Sequence, residues 1–164
     1  MDLKRLARHL LTFPGAVKRA FPANAMAAIE GAIAHGESQH GGELRFAAEP
    51  ALDTAPLLAG QSARERAIEV FSLLRLWDTA ERNGVLIYLL LADRDIEIVA
   101  DRGLNMVRPG EWEAICGRIE EALRRGEFQH GVVEGIQAVS RVLASHFPHR
   151  AADRNELPDR PVAL

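Results

Sequence analysis

The hydrophobic pattern of this chain changes period once, between Asn83 and Leu104. Val85 to Ala92 is an unbroken run of eight apolar residues, VLIYLLLA. A run of that length without alternation predicts a strand covered on both faces. It is far too short to cross a bilayer, which takes about 20 residues. Asn83-Gly84 ahead of it is a turn signal, and Asp93-Arg94 reverses the chain. From Asp95 the alternation is strict: Ile96, Ile98 and Ala100 share one face, and Asp95, Glu97, Val99 and Asp101 the other. This predicts a strand with one wet face near a sheet edge. Gly103, free to take a positive φ, is expected to end it in a turn.

On either side the spacing is helical. Leu3, Leu6, Leu10 and Leu11 make a stripe within residues 1–20, and that stretch carries five cations (Lys4, Arg5, Arg8, Lys18, Arg19) against Asp2. It reads as a basic amphipathic helix that either docks its leucines on the domain or lies on an anionic surface. Pro22 opens a helix with Met26, Ile29 and Ile33 as its stripe, ending near His35 at Gly36, Gly41 and Gly42. Leu44 and Phe46 make Glu43–Glu49 a first strand, and 50–60 a loop or short helical turn. Ser62-Ala63-Arg64-Glu65 fits a capping box. The helix it opens has Ala67, Val70, Phe71, Leu74 and Trp77 on one side and carries the chain to the central strand, a right-handed parallel crossover. After the hairpin, Pro109-Gly110-Glu111 opens a helix with Trp112, Ile115, Cys116, Ile119 and Leu123 buried, closed at Gly126. A last helix, about 127–146, turns Phe128, Val132, Ile136, Val139 and Leu143 inward. Residues 148–164 hold three prolines and many charges without a stripe, and are expected to be a disordered tail. The expected organisation is thus an N-terminal helix over 1–20, a domain over 21–147 and a tail over 148–164.

Composition narrows the function classes. The 164 residues are 48% hydrophobic and 26% charged, a globular composition for one domain. A net charge of −3 argues against general nucleic-acid binding. One cysteine, Cys116, excludes an internal disulfide and the common zinc frameworks. No segment reads as a signal peptide or membrane span, so a cytoplasmic location is expected, peripheral at the inner membrane if the basic helix binds there.

Candidate chemistry is sparse. Asp93, Asp95, Glu97 and Asp101 cluster on the hairpin and are the candidate ligands for a hard cation, Ca²⁺ or Mg²⁺. His35, Glu37 and His40 offer two imidazoles and a carboxylate in a glycine-rich segment, a weak metal pattern. Cys116, on an apolar helix face, reads as an inert core thiol, and Trp77 and Trp112 as core or interface anchors. Asp93-Arg94-Asp95 superficially resembles the nucleophile loop of haloacid-dehalogenase-type phosphatases, but Asp95 starts a strand and no positioned partner is evident. Phosphate-cradling loops, nucleophile elbows and HExxH are absent.

Taken together, Arg82-Asn83-Gly84-Val85-Leu86, the apolar strand to Leu91, the charged strand Asp95–Val99, Gly103-Leu104 and Gly126-Glu127-Phe128-Gln129-His130-Gly131 resemble the TPM-domain family over roughly residues 20–147. The N-terminal KRLARHLLTF and the HGGELRF segment resemble a short bacterial branch of it; the family includes thylakoid-lumen proteins with acid-phosphatase character. The resemblance implies an α/β fold: a three-layer α/β/α sandwich around a small mixed sheet of about four strands, one more than the pattern supplies. It also implies two functions. One is a non-catalytic interaction or accessory module with a membrane-associated protein partner, LemA-like or another TPM protein. The other is a divalent-cation-dependent phosphomonoester hydrolase. Where members of the family carry Gly-Tyr-Gly-Leu-Glu after the charged strand, this chain has Gly103-Leu104-Asn105 preceded by Ala100-Asp101-Arg102. That departure, with the loss of the acidic segment that opens the family's domain, favours the non-catalytic reading.

Overall fold

The computed structural model describes residues 2–151 and 154–164. Among them a four-stranded mixed sheet, in the order β3-β2-β1-β4, lies between two layers of helices. Strand β1 (Glu43–Glu49) runs parallel to β2 (Gly84–Leu90), with Glu43 opposite Gly84 and Glu49 opposite Leu90. Helix α5 (Ala63–Leu73) makes the crossover between them. β2 turns through residues 91–94 into antiparallel β3 (Asp95–Ala100), and β4 (Val162–Ala163) pairs with the other side of β1. The sheet thus has the expected four strands, and the fourth comes from residues 162–163, beyond the span that resembles the family.

The unbroken apolar run of β2 has a direct cause. Val85, Ile87 and Leu89 face the layer made by α3 (Ala23–Glu37), α6 (Pro109–Arg124) and α7 (Phe128–His146). Leu86, Tyr88 and Leu90 face the layer of α5 and the short α4 (Thr54–Leu58). Both faces are dry, so neither can carry polar residues. β3 lies at the sheet edge as expected: Ile96 and Ile98 enter the larger core and Val99 the smaller one. The capping box is present, with Ser62 Oγ accepting from Glu65 N–H at 3.1 Å and the Glu65 carboxylate accepting from Ser62 N–H at 2.8 Å. Asn83 is buried; its side chain donates to Gly41 O at 2.7 Å and ties the loop before β1 to the start of β2.

Several expectations are corrected. Residues 1–20 form two helices, α1 (Leu3–Leu11) and α2 (Ala16–Ala20). The break falls at Pro14, which offers no N–H for a continuous helix. Nor do they stand apart, since His9 and Val17 are buried. Residues 154–164 are not a disordered tail. Glu43 accepts backbone N–H groups of Glu156 and Leu157 at 2.9 and 3.0 Å, and Leu164 N–H donates to Ala48 O at 3.0 Å. Such bonds use main chain and one carboxylate, so they leave no hydrophobic stripe to read. Ala152 and Asp153 of that segment, and Met1 of the first, lie outside the described residues. Trp77 lies beyond α5 and is 54% exposed. Gly103 has no positive φ; it sits in a 3-10 turn, Arg102–Leu104, where a Cβ would meet the carbonyl oxygens of Glu81 and Arg82 at 2.6 and 2.5 Å. Its role is close approach. Positive φ falls instead on Arg94 (54°) at the hairpin tip and on Gly126 (81°) after α6.

Candidate functional site

Of the two orientations open to helix α1, the structure excludes the docking of its whole leucine stripe on the domain. Asp2 caps it, accepting from Lys4 N–H at 2.9 Å. Its basic side faces inward and converges on Asp93 in the hairpin turn. Arg5 Nε donates to Asp93 Oδ2 at 2.9 Å, Arg8 Nη2 to Oδ1 at 3.1 Å, and His9 Nε2 lies 3.2 Å from Oδ1. His9 is 4% exposed, and its Nδ1 accepts the Leu52 N–H at 3.0 Å. Neutral His9 must therefore carry its proton on Nε2, facing Asp93. Burial opposes the charge on Asp93, but hydrogen bonds from Arg5 and His9 outweigh it and hold the carboxyl below the usual range.

The apolar side faces out. Leu3 is 70% exposed, Leu10 64% and Leu11 82%; Ala7 lies between them, and Phe13 follows in the bend. Their spacing (3, 7, 10, 11) puts them on one stripe. Only Leu6 packs against the smaller core. Lys4 and Arg8 flank the stripe, and exposed Lys18 and Arg19 follow on α2. An amphipathic helix that keeps three leucines in water leaves about 25 cal/mol of burial unused per Å² of apolar surface.

The four hairpin carboxylates do not form one site. Asp93 is saturated by α1. Glu97 pairs with Arg64 at 3.2 Å. Asp101 Oδ1 accepts from Arg102 N–H at 2.7 Å and caps the 3-10 turn. Asp95 lines a groove of about 570 Å³ between β3 and α6 with Glu97, Trp112, Cys116 and Glu120. Burial, then Glu97 and Glu120, push its carboxyl up to about 6. Among the described residues no group of three or more His, Cys, Asp or Glu side chains is arranged to hold a metal ion. Any Ca²⁺ or Mg²⁺ bound there would have to displace arginine from Asp93 and Glu97. Burial also pushes the Cys116 thiol up to about 12, as suits an inert core sulfur.

A second polar centre lies at the opposite end of the sheet, where two residues of the expected weak metal pattern join two that sequence reasoning missed, Glu43 and Arg45. His35 lies within α3, and only Glu37 and His40 of its segment turn inward. Glu37 accepts the Leu44 N–H at 3.0 Å, and burial pushes its carboxyl up to about 9. His40 is buried, accepts Gly42 N–H on Nδ1 at 3.2 Å, and is pushed down to about 4 by burial. Glu43 and Arg45 lie beside them, Arg45 reaching Arg160 O at 3.5 Å. A legible signal for the missed pair was the alternation in ELR: Glu43 and Arg45 fall on one strand face, an odd choice for a buried strand.

A mixed four-stranded sheet sandwiched by helices, with a basic helix clasped to its central hairpin, defines a small α/β module. The comparisons give its family: the TPM domain model matches residues 18–142, and the chain belongs to the TPM-domain family. The structure resembles the solution structure of the BA42 protein from the psychrophilic bacterium Bizionia argentinensis, with a TM-score of 0.78 and 30% identity over 88% of this chain and 95% of that one. It also shares the fold of the N-terminal domain of a P. gingivalis protein, with a TM-score of 0.61 and 23% identity over 79% and 82% of the two chains. No curated protein gives a significant match. No helix among the described residues is long and apolar enough to cross a membrane.

Proposed function

We propose that this TPM-domain protein is a non-catalytic interaction module that contacts a membrane surface through α1. The observation behind this reading is the orientation of that helix. Its Arg5 and Arg8 are fixed to Asp93, and its leucines point outward, with Lys4, Lys18 and Arg19 exposed around them. An apolar stripe bordered by cations is the composition of a helix that lies in the headgroup layer of an anionic bilayer. Docking beforehand removes the cost of ordering the helix on the membrane.

Flotation with vesicles tests this. Wild type should float with vesicles holding phosphatidylglycerol and stay down with phosphatidylcholine alone, and Leu3→Ser/Leu10→Ser/Leu11→Ser should stay down with both. Equal flotation of the two proteins would defeat the proposal. Point variants are preferable to deleting residues 1–20, because deletion strips His9 and Val17 from the interior. The alternative, a divalent-cation-dependent phosphomonoester hydrolase built on Asp93, Asp95, Glu97 and Asp101, would require Asp93 to leave Arg5 and Glu97 to leave Arg64, and no observation favours it over the module.

A further inference from the structure

The bend between α1 and α2 and the tip of the hairpin enclose a groove of about 570 Å³. Its apolar wall is Leu11, Phe13, Ala16, Leu91 and Phe128; its charged residues are Arg8, Asp93 and Arg94. Leu11 and Phe13 belong both to this groove and to the outward stripe of α1, so the two surfaces are continuous. Asp93 is already balanced by Arg5, Arg8 and His9. Arg94 is not: it is exposed and has no ion pair among the described residues. The groove's lining is therefore mostly apolar, and Arg94 is its unpaired cation. Its volume falls within the range of clefts that bind small ligands, about 300–1,000 Å³.

We infer that this groove seats one anionic phospholipid of the bilayer, its phosphate on Arg94 and an acyl chain along Leu11, Phe13, Leu91 and Phe128. The inference rests on the membrane-surface reading of α1 and adds the ligand. Arginine suits it: the guanidinium is always charged and its fork of N–H donors matches phosphate oxygens. Arg94 also occupies left-handed backbone, φ 54°, where glycine or asparagine is the common choice. That conformation offers a clean variant, because Arg94→Gly suits the same backbone and removes only the side chain.

The test uses dihexanoyl phosphatidylglycerol as monomers, below its micelle threshold, with binding followed by calorimetry and by amide shifts at Phe13–Ala16 and Leu91–Arg94. Saturable binding is expected, at least tenfold tighter than for dihexanoyl phosphatidylcholine. Arg94→Gly should weaken it about tenfold with the melting temperature kept, and Ala16→Trp, which fills the groove, should abolish it. Leu3→Ser/Leu10→Ser should lose flotation yet keep monomer binding. Equal affinity for the two lipids, affinity for inorganic phosphate matching the lipid, or an unchanged Ala16→Trp would each overturn the groove assignment. Flotation of wild type with no monomer binding would overturn the groove and leave the α1 reading standing. Monomer binding without flotation would overturn both the surface reading and the assignment to a bilayer lipid.

Discussion

The two ends of the chain are each tied to the sheet through a carboxylate, half-buried Asp93 at one and buried Glu43 at the other, but the electrostatics are opposite. At the C-terminal end of β2, Asp93 gathers Arg5, Arg8 and His9 and stays ionised. At the N-terminal end of β1, Glu43 holds the last segment through backbone N–H groups of Glu156 and Leu157, and Glu37 beside it keeps its proton up to about 9. At Asp93 the cations reach in from α1; beside Glu37 and Glu43 the cation is the buried Arg45. Beneath the C-terminal segment burial dominates, and the group neutralises itself rather than remain charged and underpaired. The N-terminal attachment is thus an ion cluster at a surface; the C-terminal one is a hydrogen-bonded seam.

The largest expected effect follows from breaking the ion cluster. Asp93→Asn leaves Arg5 and Arg8 without a counter-charge beside a buried His9, and should cost about 2–3 kcal/mol. Urea denaturation would show a lower midpoint with an unchanged slope, and amide exchange should quicken across α1 first. A loss below about 0.5 kcal/mol would mean that the cluster does not hold the helix.

A smaller effect separates the two ends by pH. Asp93 has a depressed folded pKa, so its contribution is present above the ordinary carboxylate value near 4 and disappears as pH falls through the folded value. Glu37 behaves in the reverse sense. Its folded pKa of about 9 lies above the ordinary 4.5, so the folded state binds the extra proton and stability declines as pH rises from 4.5 through about 9. A thermal scan between pH 7 and 9 should show this decline in wild type and a flatter line in Glu37→Gln. Parallel lines would remove Glu37 from the account. The smallest effect concerns the stripe: Leu10→Ser should change stability by no more than about 0.5 kcal/mol, since Leu10 is exposed in the folded state. A larger loss would place Leu10 in the fold rather than in an interface.

How much of this was legible in the sequence depends on the range of the interaction. The β2–β3 hairpin, the capping box at Ser62 and the stripes of α6 and α7 are local patterns, and all are found in the structure. The α/β sandwich and family were likewise recoverable. The candidate site was not. A helical wheel for α1 separates leucines from cations but does not say which side faces the domain; that is decided by Asp93, 88 residues from Arg5. Likewise, the C-terminal segment has no stripe because a two-residue strand and bonds to Glu43 are made by main chain. The hairpin carboxylates looked alike in sequence, yet the fold gives Asp93, Glu97 and Asp101 separate partners.

The most direct measurement places a solvent-sensitive fluorophore on the outward stripe. With Cys116→Ala removing the native thiol, a label at Ala7→Cys should shift its emission to the blue when phosphatidylglycerol vesicles are added. The same label at His130→Cys, exposed on α7, should not move. Equal behaviour at the two positions, both unchanged or both shifted, would contradict a membrane contact made through α1.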